Sequence, residues 1–470
     1  MGRSLFRRYL PFALTLPLAA WVLSCGDRDH DDGPAPLVVL AVHVPYSTGG
    51  PKPFGITHPA ADLNGDGHID LAVTHQDGTI GVLMNDGKGG FPSAVAYPLV
   101  TATDLAPYPA PAASVGRGIV AADVNGDGFR DLIAADAGKA QHSGTPGDVP
   151  GWVVVYLNNG VGVFTRMPPM AVGSRPLGFA LAHLDGDALV DVVIDIEDVD
   201  GIQALGNNGD GTFTIRQTIA PILNSLSTHF PLAGDFTGDG RADILVPGNE
   251  NESITLLVGA GDGTFLLNDM SRYAETLTGS VTIPLPAPFD AGPVANPTSR
   301  IDLILFELAQ PKLARPHHLA SADFNRDGRL DFAIANTGPS GALPRISVFM
   351  NTGTGFAEQA SSAYFATNTS RATTAFVYTG DFAGPNGLAP DGLPDIVAQS
   401  GGSSLDNHLV LLVNQGPPGY IMAKAEGSPY FIGTVLTRMF ATGDFNGDGK
   451  ADLAVTEDAA AGRIWLLLHK

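Results

Sequence analysis

Along most of this chain, short apolar runs alternate with brief polar ones, and one order keeps returning. Gly118-Ile119-Val120-Ala121-Ala122, Gly178-Phe179-Ala180-Leu181-Ala182 and Met439-Phe440-Ala441-Thr442-Gly443 each lead into an acidic stretch of nine residues. A second apolar run starts on the last Asp of that stretch: DLAVT at Asp70, DLIAA at Asp131, DILVP at Asp243, DFAIA at Asp331 and DLAVT at Asp452. Third runs follow, as in WVVVYLNN, SITLLVGA, RISVFMN, HLVLLVN and RIWLLL. A Gly-rich turn closing on an aromatic (Phe91, Phe164, Phe213, Phe265, Phe356) then opens a fourth. Apolar runs this short, bounded by Gly and Asp, predict β-strands and not helices. Each unit therefore reads strand, acidic loop, strand, strand, Gly turn, strand.

The acidic stretches carry the chemistry. Five are intact, and in each the first, third, fifth and ninth residues offer side-chain oxygens. These are Asp62, Asn64, Asp66 and Asp70; Asp123, Asn125, Asp127 and Asp131; Asp235, Thr237, Asp239 and Asp243; Asp323, Asn325, Asp327 and Asp331; and Asp444, Asn446, Asp448 and Asp452. Three carboxylates and a neutral oxygen in so short a span form a hard-oxygen cage that suits Ca2+. Glycine at position six permits the sharp turn this requires. Two further copies depart from the pattern. In one, His183 takes the first position and Ala188 the turn position, leaving Asp185, Asp187 and Asp191. Imidazole is a poor partner for a hard cation, so this site should be weak or empty. The other is split by an insertion, with Asp381 on one side and Asp391 and Asp395 on the other. Calcium is thus expected at about five sites and at most seven. The plain alternative is a set of acidic surface turns.

Position twelve excludes an EF-hand, which needs a Glu there and flanking helices; here it is Val73, Ala134, Val246, Ile334 or Val455. The strand context instead resembles the FG-GAP repeat, also called the VCBS repeat, of the integrin alpha-subunit propeller and many bacterial surface proteins. The resemblance covers residues 37–470. It implies an all-β propeller whose loops join the first two strands of each blade, with the family's calcium ligands falling on the Asp and Asn positions above. Motifs begin at 62, 123, 183, 235, 323, 381 and 444, which makes seven blades. A Pro-rich insertion at 266–316 accounts for the one long interval. The last unit lacks a fourth strand, and Leu37 to Val44 should supply it and close the ring.

Ahead of the propeller, residues 1–24 read as a signal peptide. Arg3, Arg7 and Arg8 precede an apolar stretch from Tyr9 to Val22 that is too short to span a bilayer. It ends at Val22-Leu23-Ser24-Cys25, which resembles a bacterial lipobox. That implies lipidation of Cys25, a tether over 25–36, and an exported lipoprotein of the cell envelope, with the outer membrane favoured. Formal net charge is −22, which disfavours nucleic acid or an anionic membrane surface as partners of the bulk field. The membrane would be engaged only through the lipid anchor, by a monomer.

No reaction centre is forced by the sequence: it has no G-x-S-x-G elbow, no HExxH and no phosphate-cradling loop. The expected function is recognition or adhesion, with a protein or glycan as partner. The alternative is a carbohydrate-active enzyme of the polysaccharide-lyase kind. His317-His318 fits a polar turn or channel lining better than a zinc site. Arg117, Arg175, Arg315, Arg371 and Arg438 stand six to ten residues before the first ligand of five loops and would ring the far mouth of the channel, suiting an anionic ligand. Carboxylate pairing is the competing role for them. Strand direction places all seven loops on one face, where the N-terminal strand begins. The tether would turn that face to the membrane, with the Arg mouth, the 137–150 loop and the insertion pointing outward.

Overall fold

The structure, a computed structural model, describes residues 40–42, 45–106, 114–138, 150–220, 230–248, 253–268, 316–336, 345–353, 355–359, 374–384, 390–400, 407–417, most of 420–433 and 437–469. It also describes short pieces of the insertion at 283–284, 300–301 and 304–305. The leader with Cys25, the tether, Arg315, Arg371 and most of the 137–150 loop lie outside the described residues.

Seven antiparallel sheets follow one another along the chain. The first orders Pro53–Ile56, Leu71–His75, Thr79–Leu83 and Ala94–Pro98 from inside to outside. The second and third begin on Gly116–Ala122 and Pro176–Ala182. The fourth and fifth begin on Leu232–Gly234 and Pro316–Ala322, and the sixth and seventh on Thr374–Gly380 and Thr437–Gly443. The seventh takes its fourth strand from the N-terminal end, where Leu40 pairs with His469 and Val42 with Leu467. This is an all-β, seven-bladed propeller.

One departure from the repeat lies in the insertion. A fourth strand is expected directly after Phe265, but the outer strand of the fourth sheet is Ile304–Leu305. Leu267–Asn268 pairs instead with Arg300–Ile301 as a two-stranded ribbon. Ile283–Pro284 adds to the edge of the fifth sheet, against Gly355–Glu358. The inserted chain thus serves two neighbouring edges, which leaves fewer strand groups unpaired.

Packing follows from the two-residue period of a strand. In Asp131–Asp136, Leu132 and Ala134 join a cluster with Ala72, Ile80 and Val82 of the first sheet. Ile133 and Ala135 join Val192 and Ile194 of the third. Both faces are covered, so the second strands are buried throughout and read as continuous apolar runs rather than alternating ones. Six of the seven innermost strands carry a register shift, as between Gly116 and Ile119 and between Thr437 and Phe440. The shift frees a backbone N–H, and a second-strand side chain accepts it. Thr74 takes that of Gly55 at 2.9 Å and Thr456 that of Met439 at 3.0 Å. In the third sheet the buried Asp195 accepts from Gly178.

Candidate functional site

Each acidic loop is folded around its own first carboxylate. Asp62 accepts from the Gly65 N–H at 2.7 Å and the Gly67 N–H at 2.8 Å. Asn64 Oδ1 accepts from Asp66 at 2.9 Å, and Asp66 from His68 at 2.9 Å. Asp123, Asp235 and Asp444 repeat the pattern with Gly126 and Gly128, Gly238 and Gly240, and Gly447 and Gly449. Position four is left-handed as well as position six, with φ of 76° at Gly65 and 86° at Gly67. The sequence signal for this was the recurring Gly-Asp-Gly. The fifth loop holds Arg326 at position four with φ 57°, and there Asp323 accepts from Asp327 and Gly328.

The irregular copies differ as their sequences suggest. His183 Nδ1 donates to the Leu189 carbonyl at 2.7 Å, which replaces the first carboxylate with a closed local contact. Asp185 also lies 3.9 Å from Arg216. The split copy reassembles across its insertion, where Asp381 accepts from Asp391 at 3.1 Å and Gly392 at 2.6 Å.

Position nine has a role the sequence reading did not assign. Asp70 is fully buried, with one oxygen accepting from Leu63 N–H at 2.9 Å and the other from Asn85 N–H at 2.7 Å. Asp131, Asp191, Asp243, Asp331, Asp395 and Asp452 do the same in their sheets. Each ties the start of its loop to the end of the third strand. Burial, with the neighbouring loop carboxylates, raises the pKa to about 6 at Asp70, Asp131, Asp243, Asp331 and Asp452. At Asp395 burial lifts it to about 7.

In four blades the third-strand Asn beside this carboxylate reaches back to the preceding blade. Asn158 donates to the Leu63 carbonyl at 2.7 Å, Asn351 to that of Phe236 at 3.0 Å, and Asn414 to that of Phe324 at 2.8 Å. Asn85 donates to the Phe445 carbonyl at 2.8 Å, which joins the first sheet to the seventh. The Asn that ends five of the third apolar runs was the visible signal.

In the five intact loops oxygen donors alone occupy positions one, three and five, and that chemistry fits a hard cation. Two loops add a competitor, because Arg241 pairs with Asp239 and Arg329 with Asp327, each at 2.5 Å. Among the described residues, no group of three or more His, Cys, Asp or Glu side chains is already gathered to hold a metal.

Three of the five arginines that precede the loops, Arg117, Arg175 and Arg438, fall among the described residues. Arg175 is paired with Glu197 at 2.6 Å and Asp198 at 3.3 Å, and Arg438 with Asp458 at 2.7 Å. These carboxylates belong to the same sheets and neutralise the charge that an anion would need. Arg117 stacks on Phe54, 5.0 Å from the ring centroid, with Arg438 on the same ring at 5.6 Å. Burial, followed by the nearby Arg175, lowers the Arg117 pKa. Two of the three described arginines are therefore carboxylate-paired, and Arg117 and Arg438 share the Phe54 ring.

A groove of about 730 Å³ opens on the loop face across the first three blades. Asp62, Phe129, Arg130, Asn158 and His183 line it. Phe129 is 43% exposed, beside Val161 at 66% and Val163 at 56%. The Phe129 ring lies so close over Gly160 that a Cβ there would stand 2.5 Å from it.

Fold and loops together define the class, a β-propeller with an acidic loop between the first and second strands of its blades. Residues 62–134, 123–194 and 184–246 match the FG-GAP-like repeat, and residues 440–467 match the FG-GAP repeat, so FG-GAP repeats are present in the first three blades and the last. No curated protein matches it. A streptogramin B lyase structure is similar at 14% identity and a TM-score of 0.50, over 92% of this chain and 98% of that one. BBS1N in complex with ARL6DN is similar at 12% identity and a TM-score of 0.50, over 92% and 98%. A lectin from Agrocybe aegerita that recognises non-reducing terminal N-acetylglucosamine is 18% identical, with a TM-score of 0.43 over 80% and 81%. These likenesses concern the fold alone.

Proposed function

We propose that this propeller is a calcium-stabilised recognition module, tethered through Cys25 at the cell envelope, that binds a glycan on its loop face. The observation that carries the reading is the groove across the first three blades. It presents an exposed aromatic ring, Phe129, next to the exposed Arg130 side chain, on a wall that also includes Asp62 and Asn158. A flat apolar face flanked by polar groups suits a pyranose, whose C–H face packs on a ring while its hydroxyls find partners. Calcium would be held by oxygens at positions one, three and five of the intact loops, two of which shape this groove. Bound there, the cation supplies charge compensation and cross-links each loop.

A glycan array probed with the purified protein in millimolar calcium and in excess chelator tests the reading. Calcium-dependent binding that Phe129→Ala abolishes, with an unchanged melting temperature, is the expected result. Binding insensitive to Phe129→Ala would remove the groove from the account. Release of unsaturated uronides from a polysaccharide would make the protein a lyase instead.

A further inference from the structure

Arg117 and Arg438 hold the same place in their blades. Gly116 pairs with Asp136 and Thr437 with Glu457, and in each case the arginine is the next residue of the innermost strand. In the seventh blade the residue that follows Glu457 is Asp458, which accepts from both Nε and Nη2 of Arg438, at 3.0 and 2.7 Å. In the third blade Pro176 pairs with Ile196, and the residue that follows is Glu197, which accepts from Nε and Nη2 of Arg175 at 3.1 and 2.6 Å. In the second blade that register holds Ala137. The repeat thus supplies a carboxylate to two arginines and withholds it from Arg117.

No other carboxylate of its blade takes that part. Asp136, at the end of the same second strand, is committed to Ser114, to the Val115 N–H at 3.2 Å and to the Gly138 N–H at 2.8 Å. Among the described residues, no hydrogen bond or ion pair reaches the Arg117 guanidinium. Phe54 lies 5.0 Å from it, a stacking contact that uses the flat face of the group and leaves its N–H edge free. Arg117 is half-buried, yet its nitrogens stay open to solvent, unlike the sealed Nε of Arg241. A guanidinium drawn this far from water without a counter-ion is costly, and an anion at its free edge would offset that cost.

We propose that Arg117 receives the carboxylate of a small, singly charged organic acid at the channel mouth opposite the acidic loops. The carboxylate meets the free N–H edge as Asp458 and Glu197 meet the edges of Arg438 and Arg175. It arrives from the mouth and not through the place of Ala137, which is itself buried. Innermost strands run from this mouth toward their loops, as Gly116–Ala122 runs to Asp123. The surroundings select one charge. Glu197 and Asp198 stand with Arg175, and Asp458 with Arg438, so a dianion would meet negative neighbours with a single unpaired cation to offset them. The inference is independent of the glycan reading, because it uses neither the groove nor the acidic loops.

Titration calorimetry on the full chain with benzoate, benzamide and sulfate tests it. Benzoate should bind saturably, one per chain, and about tenfold more tightly than the neutral amide or the dianion. Arg117→Gln keeps a polar side chain and removes the charge, and it should abolish that advantage, whereas Phe129→Ala should leave it unchanged. Benzoate no tighter than benzamide, sulfate as tight as benzoate, or equal benzoate binding by Arg117→Gln and wild type overturns the proposal. Crystals soaked in 4-bromobenzoate give an answer that needs no variant: bromine beside Arg117 supports the site, and bromine only elsewhere, or nowhere, rejects it.

Discussion

The ninth-position carboxylate serves the fold before it serves any cation. Asp331 accepts from Phe324 N–H at 3.0 Å and Asn351 N–H at 2.7 Å while fully buried. Asp331→Asn sets an amide nitrogen against one of those donors and should cost about 2 kcal/mol. Chemical denaturation in excess chelator checks this, since a role confined to metal binding would leave stability unchanged there. His58 and His318, set among the innermost strands and kept neutral by burial, make a separate pH prediction. Held neutral in the fold near 4 and 3, against an unfolded value of about 6.5, they favour the native state above that value. As pH falls from about 6.5 toward 4, the unfolded chain takes up protons first and that stability is lost. The raised ninth-position groups act in the opposite sense, their contribution fading as pH rises through about 6. The double change His58→Phe with His318→Phe should therefore flatten the acid side of a melting-temperature profile recorded in chelator. An unaltered profile would show that the imidazoles do not set it.

At the scale of the strand and loop, the sequence was most legible where one interaction dominates. Apolar runs bounded by Gly and Asp located five of the second strands, because those strands are covered on both faces and admit few polar residues. The loops were legible because Gly-Asp-Gly allows little else. The roles hidden in plain view depended on distance along the chain. Asp195 replaces a Thr at a bulge, and Asn158 bonds to a carbonyl 95 residues away, so neither carries a local pattern. The fourth sheet's outer strand was misplaced because the insertion separates Leu257 from the Ile304–Leu305 pair it joins. The carboxylate partners of Arg175 and Arg438 were not legible because Glu197, Asp198 and Asp458 lie in the loops that follow the second strands. Asn158→Ala, which removes bonds to the Leu63 and Arg130 carbonyls at 2.7 and 2.9 Å, should cost about 1–3 kcal/mol. Asn207→Ala should cost less, since the Asn207 amide donates to Val190 of its own blade at 3.1 Å. Equal losses in the two variants would deny the inter-blade bond a special role.

For the whole molecule, the loops act together. If a site Kd is near 10⁻⁴ M and calcium is near 10⁻³ M, each occupied loop stabilises by roughly 1.4 kcal/mol and five by about 7 kcal/mol. Chelation should then lower the melting temperature by many degrees. Asp66→Ala, Asp127→Ala or Asp448→Ala should each narrow the gap between calcium and chelator, whereas Asp187→Ala should leave it nearly intact. Calorimetric melts in both buffers decide the matter, and coincident curves would show that the acidic loops are plain turns.

The last sheet adds a mechanical consequence. Its outer strand enters at Leu40 beside His469, which donates its N–H to Asp452 at the foot of the loop, and runs to Ser47 opposite Arg463. A pull on the N-terminal end along the strand axis, away from the loop face, is parallel to that strand. It therefore loads the rungs from Leu40–Val42 and Tyr46–Ser47 in shear, all at once, and does not peel them one by one. A module held by its N-terminus against flow or a bound partner would bear tension through the same strand that completes its ring.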